Sequence, residues 1–141
     1  YGSGLRLMEC LELRVKDVDL VRQEIRVRRG KGQKDRVTLL PERAVGVLGE
    51  HLIRVKLLHD SALASGTGGV VLPRALARKY PRADRSWPWQ WIFPARQTYA
   101  DPDTGELRRH HLHPSAVQRA VGHWTAKAPE AVFQGVALVW T

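Results

Sequence analysis

Apolar and polar positions change register several times along the chain, and each register predicts an element. Leu7, Met8 and Leu11 share one helical face, with Ser3 placed to cap a helix starting near Gly4. Residues 14–19 break that pattern and read as a turn. In residues 24–28, Ile25 and Val27 alternate with Arg26 and Arg28, as in a strand with one apolar side. Gly30 and Gly32 bracket Lys31 in a turn, and residues 36–40 return as the second strand of a hairpin. Beyond Pro41 and Glu42, the positions Val45, Leu48, Leu52 and Val55 define one face of a long helix to about Ala64. Glycines 66, 68 and 69 end it. His51 and His59 on that helix read as ordinary surface or partly buried residues. A short helix is predicted over 73–80, stopped by Pro81. Residues 81–106 are rich in Pro, Trp and Asp, with a turn at 101–105. A last helix is predicted from Pro114 to about Val121, and the pattern weakens after Gly122.

Composition adds a core and a charge. The 141 residues are 43% hydrophobic, which suits one folded domain burying about two thirds of its unfolded surface. Lys and Arg number 23 against 14 Asp and Glu, a net charge of +9. That excess favours an anionic partner, because phosphate neutralisation releases counterions. It is also clustered. Arg22, Arg26, Arg28, Arg29, Lys31, Lys34 and Arg36 crowd the hairpin, and Arg74, Arg78, Lys79, Arg82, Arg85 and Arg96 crowd 74–96. The single cysteine, Cys10, excludes an internal disulfide and fits a cytoplasmic setting. No signal peptide or transmembrane-length apolar run is visible. Tyr1-Gly-Ser-Gly4 reads as the entry to an element already under way, so the start is taken as a cut edge of a larger protein.

These residue types suit work on a DNA backbone. Phosphoryl transfer needs cations on the non-bridging oxygens, a proton donor for the leaving oxygen, and a nucleophile. Arg6 near a helix start presents a fork of donors beside backbone N–H groups. Lys31, at a glycine-flanked tip, can reach into DNA and donate a proton. Each feature alone is weak, since most such arginines and turns are plain surface.

Taken together, Gly4-Leu-Arg-Leu-Met-Glu9 and Gly30-Lys-Gly-Gln-Lys-Asp-Arg36 resemble the first half of the tyrosine recombinase catalytic domain, of the phage integrase family. The resemblance implies an α+β fold, mainly helical with a small antiparallel sheet. It implies Arg6 as a phosphate clamp, Lys31 as general acid for the leaving 5′-hydroxyl, and Glu9 as a buttress behind them. Arg28, Arg29, Lys34 and Arg36 are expected on the DNA backbone. The segments Trp87-Pro-Trp-Gln-Trp-Ile-Phe-Pro-Ala-Arg96 and Asp101-Pro-Asp-Thr-Gly-Glu-Leu-Arg-Arg-His-His-Leu-His-Pro114 look like the insertion that marks integron integrases. There the insertion reads bases extruded from a folded single-stranded recombination site, and Trp89, Pro102, His110 and His111 take that role by position. Aromatic rings, a proline and imidazoles suit base stacking. At least one of Trp87, Trp89 and Trp91 is expected to be buried for stability. The spacing of His110, His111 and His113 is not a standard zinc pattern, so no metal is expected. The family reaction implies no cofactor.

The resemblance covers residues 1 to about 121, with the insertion at about 81–113, and a divergent tail follows over 122–141. A His-x-x-Arg box and a nucleophilic tyrosine are expected next in the family. His123 has Ala126 three residues on, and Tyr1, Tyr80 and Tyr99 do not match the nucleophile's place. These 141 residues are therefore expected to form no 3′-phosphotyrosyl link, and the abrupt tail suggests a shifted frame or truncated gene end. An incomplete domain is expected to expose apolar surface and be marginally stable. The leading reading is a DNA-binding part of an integron-type recombinase that works as a tetramer on DNA. The alternative is a non-catalytic basic nucleic-acid-binding module or decayed remnant. The coupled motifs argue against an unrelated RNA-binding protein.

Overall fold

A computed structural model describes residues 5–28 and 34–122. In chain order the elements are α1 (Leu7–Leu11), β1 (Val18–Asp19), β2 (Glu24–Val27), β3 (Arg36–Leu39), α2 (Glu42–Ala64), α3 (Arg74–Lys79), β4 (Pro94–Ala100), β5 (Leu107–His111) and α4 (Pro114–Gly122). Short 3-10 turns occupy Val15–Asp17, Ala83–Arg85 and Trp87–Trp89. The strands form two antiparallel sheets, β1-β2-β3 and β4-β5. The mixed α+β architecture with small antiparallel sheets is the expected one.

The first helix starts later than its apolar spacing suggested. Leu5 and Arg6 lie outside the helix and Arg6 is its N-cap, with extended backbone (φ −76°, ψ 155°). Ser3 and Gly4 lie outside the described residues. Residues 14–19, read as a turn, contain the 3-10 turn and strand β1, which pairs Val18 with Ile25. The hairpin register is as the alternation requires. Ile25 and Val27 are buried, Arg26 and Arg28 are exposed, and β2 pairs Ile25 with Thr38 and Val27 with Arg36. The tip carrying Arg29 and Lys31 lies outside the described residues.

The long helix α2 runs from Glu42 to Ala64, and Gly66 follows at φ +75°, a left-handed turn that glycine adopts without Cβ strain. Its inner face is Ala44, Leu48, His51, Val55, His59 and Ala62. His51 and His59 are therefore core residues and not surface ones, at 1% and 5% exposure. One core joins Leu11 and Leu13, Ile25 and Val27, Leu40, Leu48, Ile92 and Phe93, Leu112, and Val117 of α4. Cys10 is buried in it, and burial pushes its thiol up to about 12. Apolar side chains are also exposed: Val37 and Leu39 on β3, and Ile53 and Leu57 one turn apart on α2.

Residues 81–113 hold more regular structure than their composition suggested. The turn at 101–105, closed by Gly105 N–H to Asp101 O at 2.7 Å, is the tip of the β4-β5 hairpin. A register shift between Pro94 and Thr98 interrupts the ladder. Arg109 Nη1 reaches into it, donating to Ala95 O at 2.6 Å and Arg96 O at 2.8 Å. The arginine thus serves carbonyls that the shifted register removes from strand pairing.

Candidate nucleic-acid interface

The site is built where the first part of the chain meets the 81–113 segment. Residues 13–15 run beside 90–92 in strand-like fashion. Val15 N–H donates to Gln90 O at 2.9 Å, Ile92 N–H donates to Leu13 O at 3.0 Å, and Arg14 bridges Trp91. Helix α2 holds the same segment from beneath. His51 Nε2 lies 2.7 Å from Ile92 O with its ring against Phe93, and the His59 ring lies 5.8 Å from that of Trp87. Burial pushes both imidazoles below their ordinary range.

On the α1 side, Arg6 is exposed and Glu9 is half-buried. Glu9 accepts from the Arg6 N–H at 2.9 Å, so a backbone donor expected to be open to phosphate is already taken. Glu9 also receives both prongs of Arg36: Nη1 to Oε1 at 3.0 Å and Nη2 to Oε2 at 2.8 Å. This fork, with the Arg6 N–H bond, holds the Glu9 carboxyl down at about 2. Arg36, expected on the DNA backbone, is thus committed through both Nη atoms to Glu9. The pair ties α1 to β3, the strand that follows the segment carrying Lys31 in sequence.

A second carboxylate organises the other strand. Asp17 is buried, and its Oδ1 accepts from Arg28 Nε at 2.9 Å while its Oδ2 accepts from the Arg14 N–H at 3.0 Å. Arg28 still exposes 41% of its side chain. Lys34 is exposed.

Between these parts lies a cleft of about 620 Å³. Glu9, Asp17 and Arg28 line it from the α1 and hairpin side, and Trp91, His110 and His111 from the insertion. The rings form one cluster. Trp91 is nearly parallel to His110 (6.2 Å between centroids, 25°) and edge-on to His111 (5.1 Å, 80°). The two imidazoles are 4.0 Å apart. Burial lowers the affinity of His111 for a proton. The cleft is aromatic and is lined by Arg14, Arg28, Arg74 and Arg109 as well as by Glu9, Glu12 and Asp17; its rings are suited to stack a nucleobase while the arginines meet phosphate.

The structure does not bring all the expected base-reading residues together. His110 and His111 share the cleft. Trp89 instead lines a separate open hollow with Tyr80, Pro81 and Arg82, and Lys16 Nζ sits 3.5 Å from its ring centroid. Pro102 lies on the exposed hairpin turn and lines neither hollow. None of Trp87, Trp89 and Trp91 is fully buried, contrary to expectation: all three are half-buried, Trp87 and Trp89 in a 3-10 turn and Trp91 in the bridge with Arg14. Trp91, Tyr99, Arg14 and Arg109 line the cleft and were missed. For Trp91 a signal existed in the three-tryptophan run; for Arg14 none did. Among the described residues, no group of three or more His, Cys, Asp or Glu is arranged to hold a metal ion. No described helix is long and apolar enough to cross a membrane.

The family model described as the phage integrase family matches residues 1–133. An "Integrase/recombinase" of Escherichia coli is 48% identical over 120 residues, covering 85% of this chain and 36% of that protein. One of the same name from Pseudomonas aeruginosa matches equally. "Tyrosine recombinase XerC" of Proteus mirabilis is 49% identical over 60 residues, 43% of this chain and 19% of the relative. The chain spans about a third of the length of the first two relatives.

Proposed function

This chain belongs to the phage integrase family of site-specific tyrosine recombinases, and on that premise we propose that it is the DNA-holding part of an integron-type integrase. In this reading it grips the phosphate backbone through the α1–hairpin half. The insertion reads bases extruded from a folded single-stranded recombination site. The observation that carries the reading is the shared cleft, which sets Glu9 and Arg28 of the first half against Trp91, His110 and His111 of the insertion. Elsewhere in an ordinary duplex a base is stacked and paired, so a stacking cleft of this kind suits a base already out of the helix.

Arg6 clamps the scissile phosphate, with Glu9 as its buttress. Lys31 donates the proton to the leaving 5′-hydroxyl, and this is the role the tip has in the reading. Arg28, Arg29 and Lys34 follow the backbone, with Arg36 acting through Glu9. Trp89 and Pro102 meet extruded bases or flanking strand away from the cleft. The segments are a catalytic-domain part over 1–121, the insertion at about 81–113 and the tail over 122–141. The whole enzyme works as a tetramer on DNA, exchanging gene cassettes. These 141 residues by themselves bind without cutting, since Tyr1, Tyr80 and Tyr99 do not stand where a nucleophile is needed.

The test is binding of a DNA hairpin with extruded bases against the same hairpin with those bases deleted. Tighter binding of the first supports the reading, and equal binding overturns it. A nicked suicide substrate tests the second part. A covalent protein–DNA band overturns the claim that the chain binds without cutting.

A further inference from the structure

Arg14 lies in the stretch that read as a turn, and no role in the reaction was assigned to it. Its surroundings are an indole ring and two backbone carbonyls. Its backbone bridges Trp91. Its guanidinium sits over the Trp91 indole, with Cζ 4.0 Å from the ring centroid. Nη1 donates to Trp89 O at 2.7 Å and Nη2 to Val71 O at 2.8 Å. One planar group thus crosslinks three places: the end of the α1 segment, the tryptophan run, and the strand-like stretch before α3. Burial among these groups pushes Arg14 down to about 10, so it remains a cation at neutral pH.

This arginine is also joined to the hairpin. Asp17 accepts from the Arg14 N–H through one oxygen and from Arg28 Nε through the other. Arg28 directly follows β2 of the hairpin. The result is a continuous path of contacts, Arg28 to Asp17 to Arg14 to Trp91, between the phosphate-holding half and the aromatic cleft.

We infer that Arg14 is a positioning residue for the cleft, fixing the plane of Trp91 and tying it to the Arg28 end of the hairpin. The inference rests on the base-reading role proposed above. Its physical basis is preorganisation. An indole held by a cation on one face, with its neighbouring carbonyls fixed, loses less freedom when a base stacks in the cleft. Lysine keeps the charge but cannot span two carbonyls with a planar fork. Methionine keeps much of the volume and loses both.

The experiment uses the 141-residue chain and two probes, the DNA hairpin with extruded bases and the same hairpin with those bases deleted. Affinity for each is measured for wild type, Arg14→Lys and Arg14→Met, alongside thermal melting. In Arg14→Met the preference for extruded bases falls about tenfold, while affinity for the deleted probe changes less than about twofold. Arg14→Lys gives an intermediate preference. A merely structural arginine would lower affinity for both probes together as melting falls, and that result overturns the inference. Unchanged preference in both variants overturns it as well. If Arg14→Met melts below the assay temperature, Arg14→Lys decides alone: a reduced preference supports the role and an unchanged one overturns it. A wild type without any preference overturns the base-reading role and this inference with it. A wild type with a preference that both variants keep overturns only the inference.

Discussion

Arg36 on β3 grips Glu9 on α1 with both Nη atoms, at 3.0 and 2.8 Å, across 27 residues of sequence. A two-pronged pair fixes orientation as well as distance, so it sets how α1 meets β3. Arg36→Ala should lower stability, since it removes the fork that joins α1 to β3. Denaturant melting checks the direction. The same pair sets an acid limit. Glu9 titrates near 2 in the folded chain against an ordinary value of 4.5, so its contribution is complete above about 4.5 and is lost as pH falls towards 2. Glu9→Gln should flatten the stability profile in that window.

Arg28 and Arg36 should behave differently toward DNA. Arg28 binds Asp17 through Nε alone and remains partly exposed, whereas Arg36 has both Nη atoms on Glu9. Arg28→Ala should therefore reduce the slope of log affinity against log salt by about one phosphate contact. Arg36→Ala should leave the slope nearly unchanged while weakening binding. Salt titrations of the two variants measure this, and equal slope losses would place Arg36 on the phosphates.

Two buried histidines should make the fold acid-sensitive well above the Glu9 window. His51 and His59 both bind protons less readily in the folded chain, chiefly through burial. The unfolded chain then takes up more protons below the ordinary histidine value of about 6.5, so stability falls as pH drops through that value. His51→Leu should reduce the slope near pH 6 even where it costs stability at pH 8. A chevron or melting series across pH 5 to 8, the range to scan for a histidine, gives the answer.

Cys10 should be inert in the folded chain. It has no exposed surface, and its thiol is raised to about 12. Alkylation by iodoacetamide should follow global unfolding, being slow in buffer and fast in denaturant. Rapid labelling of the folded chain would show that the α1 segment opens locally.

Elements with local causes were legible. The alternation of Ile25 and Val27 with Arg26 and Arg28 gives the same faces in the sheet. The apolar face of α2 and the glycine at 66 place that helix and its end correctly. The charge excess and the motifs around Arg6, Glu9 and Lys31 are contained in the residues themselves. The β4-β5 hairpin was not legible, because a register shift spoils its alternation and Arg109 repairs the shift from the partner strand.

The sequence by itself determined the hairpin pattern, the long helix, the cationic excess and the family motifs, because each depends on neighbours within a few positions. Only the tertiary structure decided the site. It turned His51 and His59 inward to hold the insertion, locked Arg36 onto Glu9, separated Trp89 from His110 and His111, and put Trp91 in its place beneath Arg14. These outcomes depend on contacts between residues tens of positions apart, where the packing of α2 and the pairing of 13–15 with 90–92 set the distances. Local periodicity carries no information about such distances.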